Sequence, residues 1–237
     1  MLDFRKKKKT KSNLNNHNWG KLSLELIVVF LGVTAGFLLN NWRMSTHDKQ
    51  LERSYLEGLA EDATQNQIKI QSSITLDSLW LSMATPLHGI FAQGNFPIDS
   101  AKSAIELMII FHRFEANTNT YQNIINSGNM NIIRNFDLRK QIIDYQDAIN
   151  GLSTLDEIYY TFYSDYTIPL TIKEFNLANG TLIGKSISNP TMLTNIFSLQ
   201  YWMVLERQKH YKNLLLKSHE MNSNLQKTRF YRKINLN

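Results

Sequence analysis

Residues 22–39 read LSLELIVVFLGVTAGFLL, a nearly unbroken apolar run of 18 residues. As a helix rising 1.5 Å per residue it is about 27 Å long, close to the roughly 30 Å hydrocarbon core of a bilayer. A buried helix of a soluble protein is usually shorter or keeps a polar face. The run therefore predicts one membrane-spanning helix over residues 22–42. Arg5, Lys6, Lys7, Lys8, Lys9, Lys11 and Lys21 precede it, opposed only by Asp3. An excess of Lys and Arg marks the cytoplasmic side. Residues 1–21 are thus expected to be a basic cytoplasmic tail, and residues 43–237 a periplasmic domain held at a bacterial inner membrane. Trp42 and Arg43 follow Asn40 and Asn41 and read as anchors at headgroup depth. Val33-Thr34-Ala35 would suit a signal peptidase. Cleavage there would leave Gly36-Phe37-Leu38-Leu39 exposed at a new terminus, so an uncleaved anchor is expected.

The formal net charge is +6. Residues 44–237 hold 18 Lys and Arg and 18 Asp and Glu, so the excess belongs to the tail and Arg43. That distribution fits a tail lying against anionic lipid, not a nucleic-acid-binding domain. The absence of cysteine removes lipoprotein anchoring, thiol catalysis and thiolate metal sites.

Within the run, Glu25, Val29, Gly32, Gly36, Asn40 and Arg43 recur at steps of three and four residues. At about 100° per residue they fall within an arc of roughly 80°. Gly32 and Gly36 have the small-xxx-small spacing that lets two helix backbones approach closely. The stripe predicts a packing face, toward a second copy or another membrane protein. An ionisable Glu25 inside the run also admits an ion-driven complex in which this acid carries protons, although such acids usually lie deeper.

Beyond the run the pattern is helical throughout, with no repeat and no sustained strand alternation. A long helix is expected from the membrane to about Met83, with Leu51, Tyr55 and Leu59 on one face. Pro86, Gly89, Gly94 and Pro97 mark a loop containing His88. Asp99 or Ser100 is expected to cap a second helix through Ala104, Leu107, Met108 and Phe111. Thr118 or Thr120 should cap a third that stops at Gly128. Asp137 should cap a fourth, from Leu138 to about Tyr166, with Leu138, Ile142, Tyr145, Ile149 and Leu152 as its apolar stripe. Pro169 is read as its end, residues 176–190 as a polar loop, and Thr191 as the start of a last helix reaching toward Phe230. The expected class is all-α: one transmembrane helix running into a long helix, followed by an extracytoplasmic bundle.

Sites of chemistry are sparse. Asn179-Gly180-Thr181-Leu182-Ile183-Gly184-Lys185-Ser186 nearly matches a phosphate-binding loop, but Asn replaces the first Gly and no strand clearly precedes it. Glu206 with His210, and His112 with Glu115, have helical spacings that suit a metal but lack the paired pattern of di-metal bundles. No nucleophile elbow or dinucleotide fingerprint is present. No catalytic residue, metal or cofactor, and no small-molecule ligand, is expected. A ligand-sensing bundle is the rival. It would need a pocket among Trp80, Phe111, Tyr121 or Trp202 with a convergent charge, and a partner to carry its signal. Ser127-Gly128-Asn129 reads as a structural turn, with Gly128 at positive φ.

Two stretches resemble an uncharacterised family of single-span bacterial envelope proteins, a domain of unknown function. In the first the resemblance rests on Glu25, Gly32, Asn40, Asn41, Trp42, Glu52, Tyr55, Leu56, Leu59 and Asp62. In the second it rests on Thr120, Tyr121, Ser127, Gly128, Asn129, Ile132, Ile133, Asn135, Leu138 and Arg139. It covers residues 22–70 and 117–150 and implies the same topology and an all-helical exported domain. It implies no activity. The expectation is a non-enzymatic envelope protein, a scaffold or accessory subunit associating through its span.

Overall fold

The computed structural model describes residues 19–234, with side chains described through residue 228. The basic residues from Arg5 to Lys11 lie outside the described residues. The fold is all-α. Helix α1 (Trp19–Ala92) is followed by α2 (Ile98–Met108), α3 (Asn119–Asn126), a 3-10 turn (Asn129–Ile132) and α4 (Phe136–Phe162). A π-turn (Tyr163–Thr167), α5 (Ile168–Glu174) and α6 (Pro190–Ile234) complete it. Between α5 and α6, β1 (Phe175–Asn176) pairs antiparallel with β2 (Thr181–Leu182), Phe175 opposite Leu182. The chain forms two compact units, Met1–Gln50 and Leu51–Asn237.

The described part of the first unit is the start of α1. It contains an 18-residue window long and apolar enough to cross a membrane, with none of that window buried. Built Cβ atoms on Gly32 and Gly36 meet nothing within 4 Å.

The second unit is an up-down-up-down arrangement. Its first arm is α1 from Leu51. The second arm, residues 98–127, runs back along it: Trp80 meets Leu107, Asn66 meets Asn117, Asp62 meets Thr120 and Tyr55 meets Ser127. The third arm is α4. The fourth, α6, is antiparallel to α1 through Asp77–Arg207 and Ala63–Ser218, and to α4 through Gln141–Asn224 and Asp156–Arg207. Two apolar clusters fill it. One gathers Leu56, Leu59, Ile70, Ile124, Ile133, Tyr211 and Leu225 with the whole stripe Leu138, Ile142, Tyr145, Ile149 and Leu152. The other gathers Trp80, Phe91, Ile105, Met108, Leu170, Leu193 and Phe197.

Several boundaries differ from the sequence reading, each for a local reason. Helix α1 does not stop near Met83. It continues through Pro86 and Gly89 to Ala92, so His88 is helical. Pro86 removes the bond to the Ser82 carbonyl, but both residues are exposed, where water replaces it. Beyond them buried Phe91 stacks on Phe96 at 5.0 Å and meets Phe197 edge-on, which holds the last turn down. Helix α2 starts at Ile98 with Pro97 in the cap position, so neither Asp99 nor Ser100 caps it, and it ends at Met108, short of Phe111. Asn135, not Asp137, caps α4: its Oδ1 accepts from Leu138 N–H at 3.1 Å, and Asp137 sits in the first turn. Pro169 does not end the helical path. It sits in the first turn of α5, where its missing donor is tolerated, after the π-turn has widened the chain. Helix α6 starts at Pro190, one residue before Thr191, with Asn189 Oδ1 accepting from Met192 N–H at 3.0 Å.

Candidate functional site

The second arm of the bundle breaks between α2 and α3. Residues 109–118 are not helical, so their backbone groups need partners from elsewhere. Side chains of α1, α4, α6 and the π-turn serve these groups and the last carbonyls of α2. Trp80 Nε1 donates to Leu107 O at 3.0 Å, Gln200 Nε2 to Met108 O at 3.0 Å, and Tyr163 OH to Ile109 O at 3.2 Å. Lys69 Nζ donates to Glu115 O at 3.0 Å. Asn66 donates to Asn117 O at 2.8 Å and accepts from Asn117 N–H at 2.7 Å, a reciprocal pair.

A charge network sits at the centre of this break, between the two apolar clusters. Arg207 is 4% exposed, Asp77 0% and Asp156 2%. Arg207 holds Asp77 bidentately, Nη2 to Oδ1 at 2.5 Å and Nε to Oδ2 at 3.2 Å. Its Nη1 donates to His112 O at 3.0 Å and lies 3.8 Å from Asp156 Oδ1. Asp156 Oδ2 accepts from Phe114 N–H at 3.1 Å. The guanidinium also lies over the Tyr159 ring, 4.7 Å from its centroid. Burial pushes the Asp77 carboxyl above its ordinary range, with the Arg207 hydrogen bonds opposing that shift. Burial pushes Asp156 the same way, opposed by the Phe114 N–H. His112 Nε2 lies 3.3 Å from Asp77 Oδ1 without hydrogen-bond geometry. Burial first, and the Arg207 charge second, lower its pKa to about 4, so it is neutral at pH 7. Burial raises Tyr159 to about 12. These carboxylates and this guanidinium face each other and the backbone of the break, which makes the network a clamp.

The other buried acids follow the same rule. Glu52 Oε1 accepts from Arg134 N–H at 2.8 Å, and Glu174 accepts from Ser188 N–H at 3.0 Å and from its hydroxyl. Thr118 occupies the α3 cap position without a side-chain bond. Asp62 of α1 does that work across the interface, accepting from Thr120 N–H at 3.0 Å. Sequence reasoning passed over Asp77 and Asp156 and grouped Arg207 with the surface basic residues of the last helix, whereas it is buried. Their one-dimensional signal was a polar residue interrupting an apolar helical face.

Of the residues singled out in the sequence, Ser127, Gly128 and Asn129 form a turn docked on α1. Gly128 has φ +70, Asn129 Nδ2 donates to Tyr55 OH at 2.8 Å, and Ser127 Oγ lies 3.3 Å from the same hydroxyl. Glu206 and His210 are a surface pair 3.6 Å apart, with Lys209 on Glu206. His112 faces Asp77 and not Glu115. Among the described residues no group of three His, Cys, Asp or Glu is placed to hold a metal ion. Residues 179–186 take in the end of the β1–β2 turn, β2 and the loop after it, and no helix follows until Pro190, so the strand-loop-helix setting of a phosphate loop is missing. Tyr121 and Trp202 line two different cavities among the described residues. Trp202 lines a cavity of about 230 Å³ with Tyr159, Glu206 and Arg207, but the Arg207 charge is already taken by Asp77. A wider groove of about 550 Å³ runs beside Phe162, Tyr166, Met192 and Leu199. Compared with protein-family models, curated proteins and solved structures, the chain matches none.

Proposed function

We propose that this chain is a non-enzymatic, membrane-anchored protein of a bacterial envelope, with residues 22–42 spanning the inner membrane, the basic tail cytoplasmic and the helical unit periplasmic. It associates with a second copy or another membrane protein through the face of Glu25, Val29, Gly32, Gly36 and Asn40. The carrying observation is the uncovered apolar window of α1 with Gly32 and Gly36 open on it. In water such a surface would be a severe liability, whereas in lipid it needs no cover. The buried acids support the non-enzymatic reading, since each serves a backbone N–H or a guanidinium. The two stretches that resemble the envelope family also meet: Glu52 with Arg134, Tyr55 with Ser127 and Asn129, Asp62 with Thr120.

The test is Gly32→Leu with Gly36→Leu, measured by a two-helix association assay in membranes. Association should fall to the level of a non-interacting control helix. Unchanged association would remove the packing face. Glu25→Gln serves the ion-driven alternative, which requires loss of function with assembly intact.

A further inference from the structure

The end of the second unit at which the chain enters, around Leu51 and Glu52, carries charge that the unit as a whole does not. Residues 51–237 hold 17 basic and 17 acidic residues. The Arg134 backbone is bonded to Glu52, which fixes the segment 134–140, Arg-Asn-Phe-Asp-Leu-Arg-Lys, at this end. Asn224 donates to Gln141 at 2.9 Å, which sets the last turns of α6, with exposed Lys227, beside the first turns of α4. In sequence α6 continues with Arg229, Arg232 and Lys233. The acids here are Asp137, Glu57, which pairs with Arg53 at 3.1 Å, and buried Glu52.

Folding accounts for one member of this cluster, Arg139, whose Nη1 donates to Ile133 O at 2.6 Å, but Arg134, Lys140 and Lys227 are exposed. The first turns of a helix favour acids, because their free N–H groups carry partial positive charge, yet Arg139 and Lys140 stand there in α4. Phe136 is 68% exposed in their midst, with the Arg139 guanidinium 5.6 Å from its ring centroid. An exposed aromatic on a basic face is the composition that settles at a lipid headgroup layer. Chain length permits it: Leu51 lies nine residues beyond Trp42, at most about 32 Å even when fully extended.

We infer that the face formed by Phe136, Arg134, Arg139, Lys140 and Lys227 docks on anionic phospholipid headgroups of the leaflet from which the chain emerges. This rests on the proposal that residues 22–42 span the membrane. The partner is lipid because the face is basic, carries one wedge-like aromatic, and lies at the tethered end.

The chain has no cysteine, so single reporters can be placed in the full-length protein reconstituted into vesicles. An environment-sensitive fluorophore goes on Asn131→Cys beside the face, on Ile183→Cys in the exposed loop, and on Val33→Cys in the apolar run. Quenching is read with nitroxide-headgroup lipid, or chain-labelled lipid for position 33. With phosphatidylglycerol present, position 131 should be quenched at least twofold more than position 183. Added salt, or Arg134→Glu with Lys140→Glu, should remove that difference while circular dichroism is unchanged, and Phe136→Ser should reduce it. Equal quenching at 131 and 183, a difference that persists in neutral lipid, or one that scales with protein density would overturn the lipid assignment. Failure of position 33 to quench would instead overturn the span.

Discussion

Arg207 is the side chain on which most of the buried polar structure converges. It neutralises Asp77, faces Asp156, and donates to the His112 carbonyl. Removing one partner of a buried pair leaves the other charged or forces it to take a proton. Arg207→Met should therefore cost about 3–5 kcal/mol, read as a lower midpoint in denaturant with full-length protein in detergent. Adding Asp77→Leu should recover part of that loss but not all. The His112 carbonyl would still lack its donor and Asp156 its nearby cation, since this network serves the break as well as itself. Full recovery in the double variant would mean that Arg207 answers only Asp77.

At the scale of elements, the bundle turns on a broken second arm held by long-range caps. Gly58 shows how tight that contact is: a Cβ there would stand 2.7 Å from Thr120 Oγ1 and 2.9 Å from its Cγ2. Gly58→Ala should thus destabilise by about 1–3 kcal/mol despite the better helix propensity of alanine. Thr120→Ala in the same chain should return most of it, because that change removes both clashing atoms. Additive losses in the double variant would contradict the contact. The apolar stripe of α4 was legible from its period of three and four residues, as was the sharing of a face by Leu51, Tyr55 and Leu59. The positive φ of Gly128 was legible from its place after a short helix. A gap between Phe111 and Thr118 was legible, but the end of α2 at Met108 was not, because Phe111 continues its apolar pattern and nothing local stops it. What ends α2 is a set of distant donors, Trp80, Gln200 and Arg207, that favour free carbonyls there. The same holds for Asp62, whose role as the cap of α3 depends on a residue 58 positions away. Pro86 and Pro169 misled as stop signals, the first because it lies on an exposed turn of a helix held by packing beyond it, the second because it sits in a first turn that needs no donor.

At the scale of the molecule, one chain holds two units of opposite character. The first is apolar and uncovered over its 18-residue window. The second buries its apolar residues in two clusters and is balanced in charge. The charge asymmetry of the chain lies in the tail ahead of the first and in Arg43. This contrast carries the proposal of an anchored protein with its helical unit outside the cytoplasm. The most direct measurement uses single cysteines at Ser12 and Ile183 and a membrane-impermeant maleimide on intact spheroplasts. The account predicts that position 183 is labelled from outside, that position 12 is labelled only after lysis, and that carbonate does not extract the protein. Labelling in the reverse order, or release into carbonate, would contradict it.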